Sequence, residues 1–400
     1  MNIRSITLFA EPPLEANNLA ALKPIRSAFE VAGLPVQTLR LALPPFPTCV
    51  DSPSQALAFA HEVAAAAQAN GIDYVSLGPA TGEWIEIIPQ LLNAADSIFC
   101  GISIASREPG IDIAAIHHAA SAIRRVASLS PDGFSNLRLA ALANVPPGAP
   151  FFPAAYHAGG ASAFAIATES ADLAVAACAA AHTAAEARNA LTAAIEAHAT
   201  QIATIAAEAA RTHDLRFGGI DFSLAPFPSA QRSIGAAIER LSGSPVGSPA
   251  SLAAAAVLTD AIDRARFPRC GFSGLMLPVL EDTVLAQRAA EGVLTLDDLL
   301  LLSAVCGVGL DTVPLPGDVS EAALAAILFD VAAQSLRLDK PLTARLMPIP
   351  DKHAGDPIAF DFPFFANSRV LAIVEPMGLG LIGASMRIDL GARRHAEKES

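Results

Sequence analysis

"PVQTLRLAL" (35–43), "PSQALAFAHEVAAAAQANG" (53–71) and "DYVSLGPA" (73–80) follow one another along the chain. The first alternates apolar and polar residues with the period of a half-buried strand. The second is helical in spacing and closes at Asn70-Gly71, a pair suited to a helix stop. The third reads as another short strand. Strand, helix, strand in this order is the unit from which parallel sheets are built, because a parallel return needs a crossover.

Working outward, the same rhythm recurs. "NIRSITLFA" (2–10) predicts a strand and "NNLAALKPIRSAFEVAG" (17–33) a helix ending at Gly33. "IPQLLNAADSIFCGISI" (88–104) passes from helix to strand, "GIDIAAIHHAASAIRRVASLSPDG" (110–133) is amphipathic, and "NLRLAALANV" (136–145) is a strand. Alanine dominates 171–214, where charges recur on one side. That pattern predicts one short and one long packed helix rather than a linker. Further on, "FGGIDFSLAPF" (217–227) and "CGFSGLMLPVL" (270–280) predict strands, with helices at 233–243 and 248–266 between them. Two helices through Val305, a third from Ser320 and the strand "TARLMPIP" (343–350) complete the series. The expected architecture is α/β in one body over residues 1–375, with 376–400 a C-terminal extension whose polar end, "GARRHAEKES", frays.

Composition narrows the function classes. Apolar residues are 52% of the 400 and charged ones 16%, which excludes general disorder. A net charge of −13 without a basic run disfavours nucleic acid and anionic lipid as partners. "LLLLSAVCGVGL" (299–310) is too short to span a bilayer, and the first residues lack the apolar run of a signal peptide. Five scattered cysteines (49, 100, 178, 270, 306) form no CxxC pair, so free thiols in a cytoplasmic protein are expected. No P-loop, HExxH or GxSxG motif occurs. "GLGLIG" (378–383) matches GxGxxG only superficially, because no strand–helix context surrounds it.

The chemistry-bearing candidates are polar residues in apolar, glycine-rich stretches. "GGIDFSLAPFPSAQRS" (218–233) sets Asp221 and Ser223 two apart on a strand, before a helix start carrying Arg232 and Ser233. Free amides there, with a guanidinium fork, can hold a carboxylate. The plainer reading is that Asp221 satisfies backbone amides and the serines cap. "CGFSGLMLPVLED" (270–282) carries Ser273 and the pair Glu281-Asp282, ordinary complements of a helix start. His157 in "AYHAGG" (155–160) is a candidate acid or base beside two glycines. Arg345 stands in an apolar strand and must meet an acid of the protein or of a ligand. Thr295 and Asp298 form a capping box, so a helix runs to Val305 with Cys306 at its C-terminal end. The helix dipole there opposes thiolate formation. Cys306 is therefore either a small apolar filler or a thiol activated by another cation.

"FGGIDFSLAPFP", "CGFSGLMLPVLED", "AVCGVGLDTVPLPGD" and "KPLTARLMPIPDKHAGDPIAFDFPFFANSRV" resemble the signature blocks of an uncharacterised family, domain of unknown function 711. The similarity runs over nearly the whole chain, including "CGISI" at Cys100 and "AYHAGG" at His157. The resemblance implies a fold like that of pyruvate formate-lyase and other glycyl radical enzymes: two five-stranded half-barrels joined as a ten-stranded α/β barrel, with a finger loop in the centre. It makes the segment after Val305 the finger and puts Cys306 at or near its tip. It also implies a small ACT-domain protein as partner. The end of the chain, "GLGLIGASMRIDLGARRHAEKES" (378–400), lacks the glycyl radical loop of those enzymes.

Three functional expectations result. The first is an enzyme of lyase or acyl-transfer type acting on a small carboxylate. In it Cys306, His157, Asp221 and Asp311 are catalytic, and Arg232, Arg345, Ser223, Ser273 and Cys100 bind substrate. The second is a non-catalytic protein that binds an amino acid or small acid and works with an ACT-domain partner. The third is a metal-dependent hydrolase using Asp221, Glu281 and Asp282, with Asp311 and His157. No motif names a cofactor, and apolar stretches such as "GLMLPVL" fit core or a homo-oligomer interface equally.

Overall fold

A computed structural model describes residues 1–392. The expected frayed end lies, for residues 393–400, outside the described residues. The first half alternates β1 (Asn2–Phe9), α1 (Ala16–Val31), β2 (Val36–Ala42), α2 (Pro53–Ala69), β3 (Tyr74–Ala80) and α3 (Ile88–Ala94). It continues with β4 (Ile98–Ser106), β5 (Gly110–Asp112), α4 (Ile113–Ala127) and β6 (Leu139–Ala143). After a long connection come β7 (Ala163–Glu169), α5 (Ala171–Ala180), α6 (Ala184–His213) and β8 (Arg216–Asp221). Then follow α7 (Ile234–Ser242), α8 (Ser251–Arg264), α9 (Thr283–Ala290), α10 (Leu296–Leu302) and β9 (Gly309–Pro316). The last large elements are α11 (Glu321–Leu338) and β10 (Leu342–Ile349).

These elements make a single mixed α/β domain around one large, mostly parallel sheet. Its strand order is β8-β7-β1-β2-β3-β4-β6-β10-β9. Neighbours from β1 to β6 are parallel, as are β7 with β8 and β10 with β9. The two antiparallel joints are β1 with β7 and β6 with β10. One face carries the main core. Ile6 and Leu8 of β1, Leu39 and Leu41 of β2, and Ile102 and Ile104 of β4 pack there against the helices. Stripping such side chains from water contributes roughly 1.5–3 kcal/mol each.

The other face is filled by the connection from β6 to β7. Phe152 and Ala155 pack with Phe9, Ala42, Phe99 and Ala165, residues of four different strands. The segment is fastened by polar contacts: Thr7 donates to the Pro150 carbonyl, Ser76 to that of Ala155, and the His157 amide to Leu43.

Several sequence expectations need correction. The stretch after Val305 is not a free finger: residues 309–316 form β9, paired with β10 along its length. The apolar, β-rich composition of "VGLDTVPLP" is that of a buried strand. α10 stops at Leu302 and turns over Ser303–Val305, so Cys306 lies beyond the helix rather than at its end. "FGGIDFSLAPF" is a strand only to Asp221. "CGFSGLMLPVL" forms no ladder; from Arg269 to Pro278 the pairing is limited to the isolated bridges Ile220↔Arg269, Leu224↔Leu275 and Pro278↔Asp311. Glycine and proline interrupt it for a steric reason. A Cβ on Gly274 would lie 2.4 Å from the Cα of Gly307, so two backbones meet there with no room for a side chain. Toward the C-terminus, a two-residue strand, Arg387–Ile388, pairs with β5.

Candidate functional site

Two irregularities in the sheet turn charged side chains toward the inner face. Along β9 and β10 the register steps from Leu310↔Ala344 to Val313↔Leu346. Arg345 therefore faces two residues, Asp311 and Thr312, which is a bulge. Thr312 adopts φ +44°, a left-handed conformation that is strained for a β-branched residue by roughly 1–3 kcal/mol. Its effect is to change the parity of the strand: Leu310 and Val313 both enter the main core while Asp311 lines the inner cavity. In β1 the register against β7 skips from Ile3 to Ser5, leaving Arg4 as the extra residue. Ile3 and Ile6 stay in the core and Arg4 joins the cavity wall.

The converging charges form a chain of buried ion pairs. Arg345 donates from Nε to Asp311 Oδ1 (2.6 Å) and from Nη2 to Glu281 Oε1 (2.9 Å). Arg4 donates to Glu281 Oε2 and, at 3.1 Å, to Glu169 Oε2. Glu169 also accepts from Asn2, Gln37 and, at 2.9 Å, Arg232 Nη1. Burial pushes the Glu281 carboxyl upward, but Arg4 and Arg345 outweigh it and hold it below the usual carboxylate range. For Asp311 burial wins over Arg345, and its carboxyl is raised. Removing one partner of such a network strands a buried charge, at about 3–5 kcal/mol.

Arg40, from β2, is different. Its Nε donates to Thr38 Oγ1 at 2.9 Å, while Nη1 and Nη2 have no hydrogen-bond partner among the described residues. The guanidinium lies 5.1 Å from the Phe152 ring centroid and 5.8 Å from that of Tyr74. The residue is 7% exposed. Burial, then the field of Arg4, lowers its pKa to about 9. Four guanidiniums (Arg4, Arg40, Arg232, Arg345) stand against three carboxylates (Glu169, Glu281, Asp311), so one positive charge is uncovered, and it resides on Arg40. The cavity that Arg40, Arg4, Arg345, Glu281 and Asp311 share has a volume of about 90 Å³. That lies between the ~10–15 Å³ needed for one water and the ~150 Å³ that admits benzene. Tyr74, Phe99 and Phe152 stack edge to face along one wall, at 5.0 and 5.3 Å.

Of the residues singled out in the sequence, Glu281, Asp311 and Arg345 meet in this cavity. Arg232 reaches it only through Glu169; its side chain is 32% exposed and rests on Phe227 at 3.8 Å. Asp221 is fully buried beneath the 270–274 turn, accepting from the Phe272 and Ser273 amides and from Ser223 Oγ. Ser273 Oγ donates to the Ile220 and Cys270 carbonyls. Asp282 caps two helices at once, taking the amides of Ile234, Gly235, Val284 and Leu285. His157 is buried with Nε2 3.3 Å from the Gly160 carbonyl, outside the cavity wall. Cys100 packs in the main core, its thiol pushed up to about 12 by burial. Cys306 is 1% exposed, accepts the Gly309 amide, and borders a separate recess with Lys340. The structure does not gather the acids and histidine expected of a metal centre: among the described residues no three metal-ligating side chains converge. The oxygens of Asp221 and Asp282 accept from backbone amides and serine hydroxyls, and those of Glu281 from guanidiniums.

Sequence reasoning missed Arg4, Arg40 and Glu169. The signal was available. "NIRSITLF" and "VQTLRLA" each hold one arginine in an apolar strand, the same anomaly that marked Arg345.

The site and sheet define a mixed α/β protein with a buried pocket in which one arginine lacks a counter-charge. Residues 14–367 match the family model described as "Uncharacterised ACR (DUF711)". The chain belongs to this family. It is 35% identical over 346 residues to a UPF0210 protein of Pyrobaculum arsenaticum, covering 81% of this chain and 76% of that one. A UPF0210 protein of Pyrobaculum islandicum is 32% identical over 400 residues (89% and 87% covered). One from Neisseria meningitidis is 27% identical over 347 (82% and 77%). Among the described residues no helix is long and apolar enough to cross a membrane.

Proposed function

We propose that this protein binds a small carboxylate in the central cavity, with Arg40 as its anchor, and acts on it as an acid–base enzyme of lyase or transferase type. The observation that carries the reading is the unpaired, buried Arg40 guanidinium. Burying a cation without an anion is costly, and an incoming carboxylate would take two parallel hydrogen bonds from Nη1 and Nη2. Asp311, with its raised pKa, is the group best suited to exchange a proton with the ligand.

The reading includes a closed barrel. Residues 269–278 bridge β8 on one side and β9 on the other, always in parallel sense. Counted with the nine strands of the sheet path they would make ten: five parallel from β1 to β6, and five from β10 round to β7. The connection 144–162 would then be the finger. It presents Phe151, Phe152, Pro153 and Ala154 to the cavity where a radical enzyme would present cysteine, which favours acid–base over thiol chemistry at this centre.

Titration calorimetry with propionate tests the anchor. The native protein should give saturable binding, weakened at least tenfold in Arg40→Gln, with the far-ultraviolet dichroism unchanged. Equal affinity in the two proteins would refute the assignment.

A further inference from the structure

The cavity offers a ligand more than a cationic anchor. Asp311 Oδ1 is taken by Arg345, whereas Oδ2 has no hydrogen-bond partner among the described residues, and the side chain faces the same cavity as Arg40. The other carboxylate on this wall is already saturated, since both oxygens of Glu281 accept guanidinium donors. Arg40 thus offers two unpartnered donor nitrogens and Asp311 one unpartnered acceptor oxygen within a space of about 90 Å³, which the Tyr74 hydroxyl, also without a partner among the described residues, lines too. From this juxtaposition we propose that the pocket is specific for a short 2-hydroxy acid, its carboxylate on Arg40 and its hydroxyl donating to Asp311 Oδ2. This deepens the carboxylate reading above and rests on it.

Charge decides between a hydroxyl and an ammonium as the donor. Arg345 occupies the other oxygen of the same carboxylate at 2.6 Å, so an ammonium on Oδ2 would stand within a few ångströms of a guanidinium. Four arginines already exceed three acids in this network, and a neutral donor adds no further positive charge to a poorly screened site. Size supports a three-carbon skeleton. Lactate has six non-hydrogen atoms, as many as benzene, so it stands at the upper limit of what a cavity of this size accommodates and anything longer is excluded. The aromatic wall of Tyr74, Phe99 and Phe152 leaves an apolar surface for the methyl group.

Calorimetry with propionate, L-lactate, D-lactate, L-alanine and pyruvate on the native protein reads the preference directly. One lactate enantiomer should bind at least tenfold more tightly than propionate and more tightly than alanine or pyruvate. In Asp311→Asn the ratio of lactate to propionate affinity should shrink to within about threefold, whatever the loss of a negative charge does to both ligands alike. Lactate no tighter than propionate, or alanine or pyruvate tighter than lactate, overturns the 2-hydroxy acid assignment but leaves the Arg40 anchor standing. Should no carboxylate bind, the pocket reading fails and this inference with it. Because the native protein alone gives the ranking, misfolding of Asp311→Asn would not shield the proposal.

Discussion

Arg4, Arg40 and Arg345 each sit singly in an apolar strand, yet only two of them find carboxylates. Sequence alone marks such residues, because an arginine among valines and leucines must be satisfied by something. It does not say by what: the partners lie 165 and 277 residues away for Arg4, and 34 and 64 away for Arg345. Asp221 shows the opposite case. Its sequence context suggested either chemistry or amide satisfaction, and the structure gives three donors to its two oxygens. Burial outweighs those donors and raises its pKa to about 6 from 3.8. Between those two values the folded protein holds a proton that the unfolded chain has released. Asp221 therefore contributes more stability at pH 4 than at pH 7, by roughly 2 kcal/mol. Urea unfolding of the native protein and Asp221→Asn at both pH values should show the difference between them growing as pH falls. A gap independent of pH would mean the carboxyl does not titrate in that window.

At the level of elements, helices were more legible than strands. Periodicity and stop signals located α1, α2, α5 and α6, since a helix is specified by local spacing. Residues 270–280 misled because their apolar run promised a strand, while Gly271, Gly274 and Pro278 break any continuous ladder. Thr312 and Arg4 are bulges that no local pattern announces, although they aim two of the central charges. Asp282 was read as an ordinary dipole complement, but it holds the starts of both α7 and α9. Asp282→Ala should cost about 3 kcal/mol, against about 1 kcal/mol for Asp298→Ala, which removes only the exposed capping box of α10. Chemical unfolding of the two variants compares them; equal losses would show that the double cap adds nothing.

Across the whole molecule, the alternation of strands and helices predicted one α/β body, and the sheet order carries that through. Which segment fills the inner face was not legible. Both "AVCGVGLDTVPLPGD" and "NVPPGAPFFPAAYHAGG" are rich in glycine and proline, and beyond the β-rich run of the first, long-range pairing separates the strand from the filler. If residues 269–278 close a barrel, the amides of Cys270, Leu224 and Val279, which bond to Ile220, Gly274 and Asp311, should exchange as slowly as those of the β1–β2 ladder. Exchange within seconds at neutral pH would instead mark an open edge. A crystal structure of the protein soaked in lactate, with propionate as control, shows directly whether the cavity holds a carboxylate. The carboxylate should lie bidentate on Arg40 between Tyr74 and Phe152. Density for the ligand only beside Cys306 and Lys340, or a cavity holding nothing but water at saturating lactate, would contradict it.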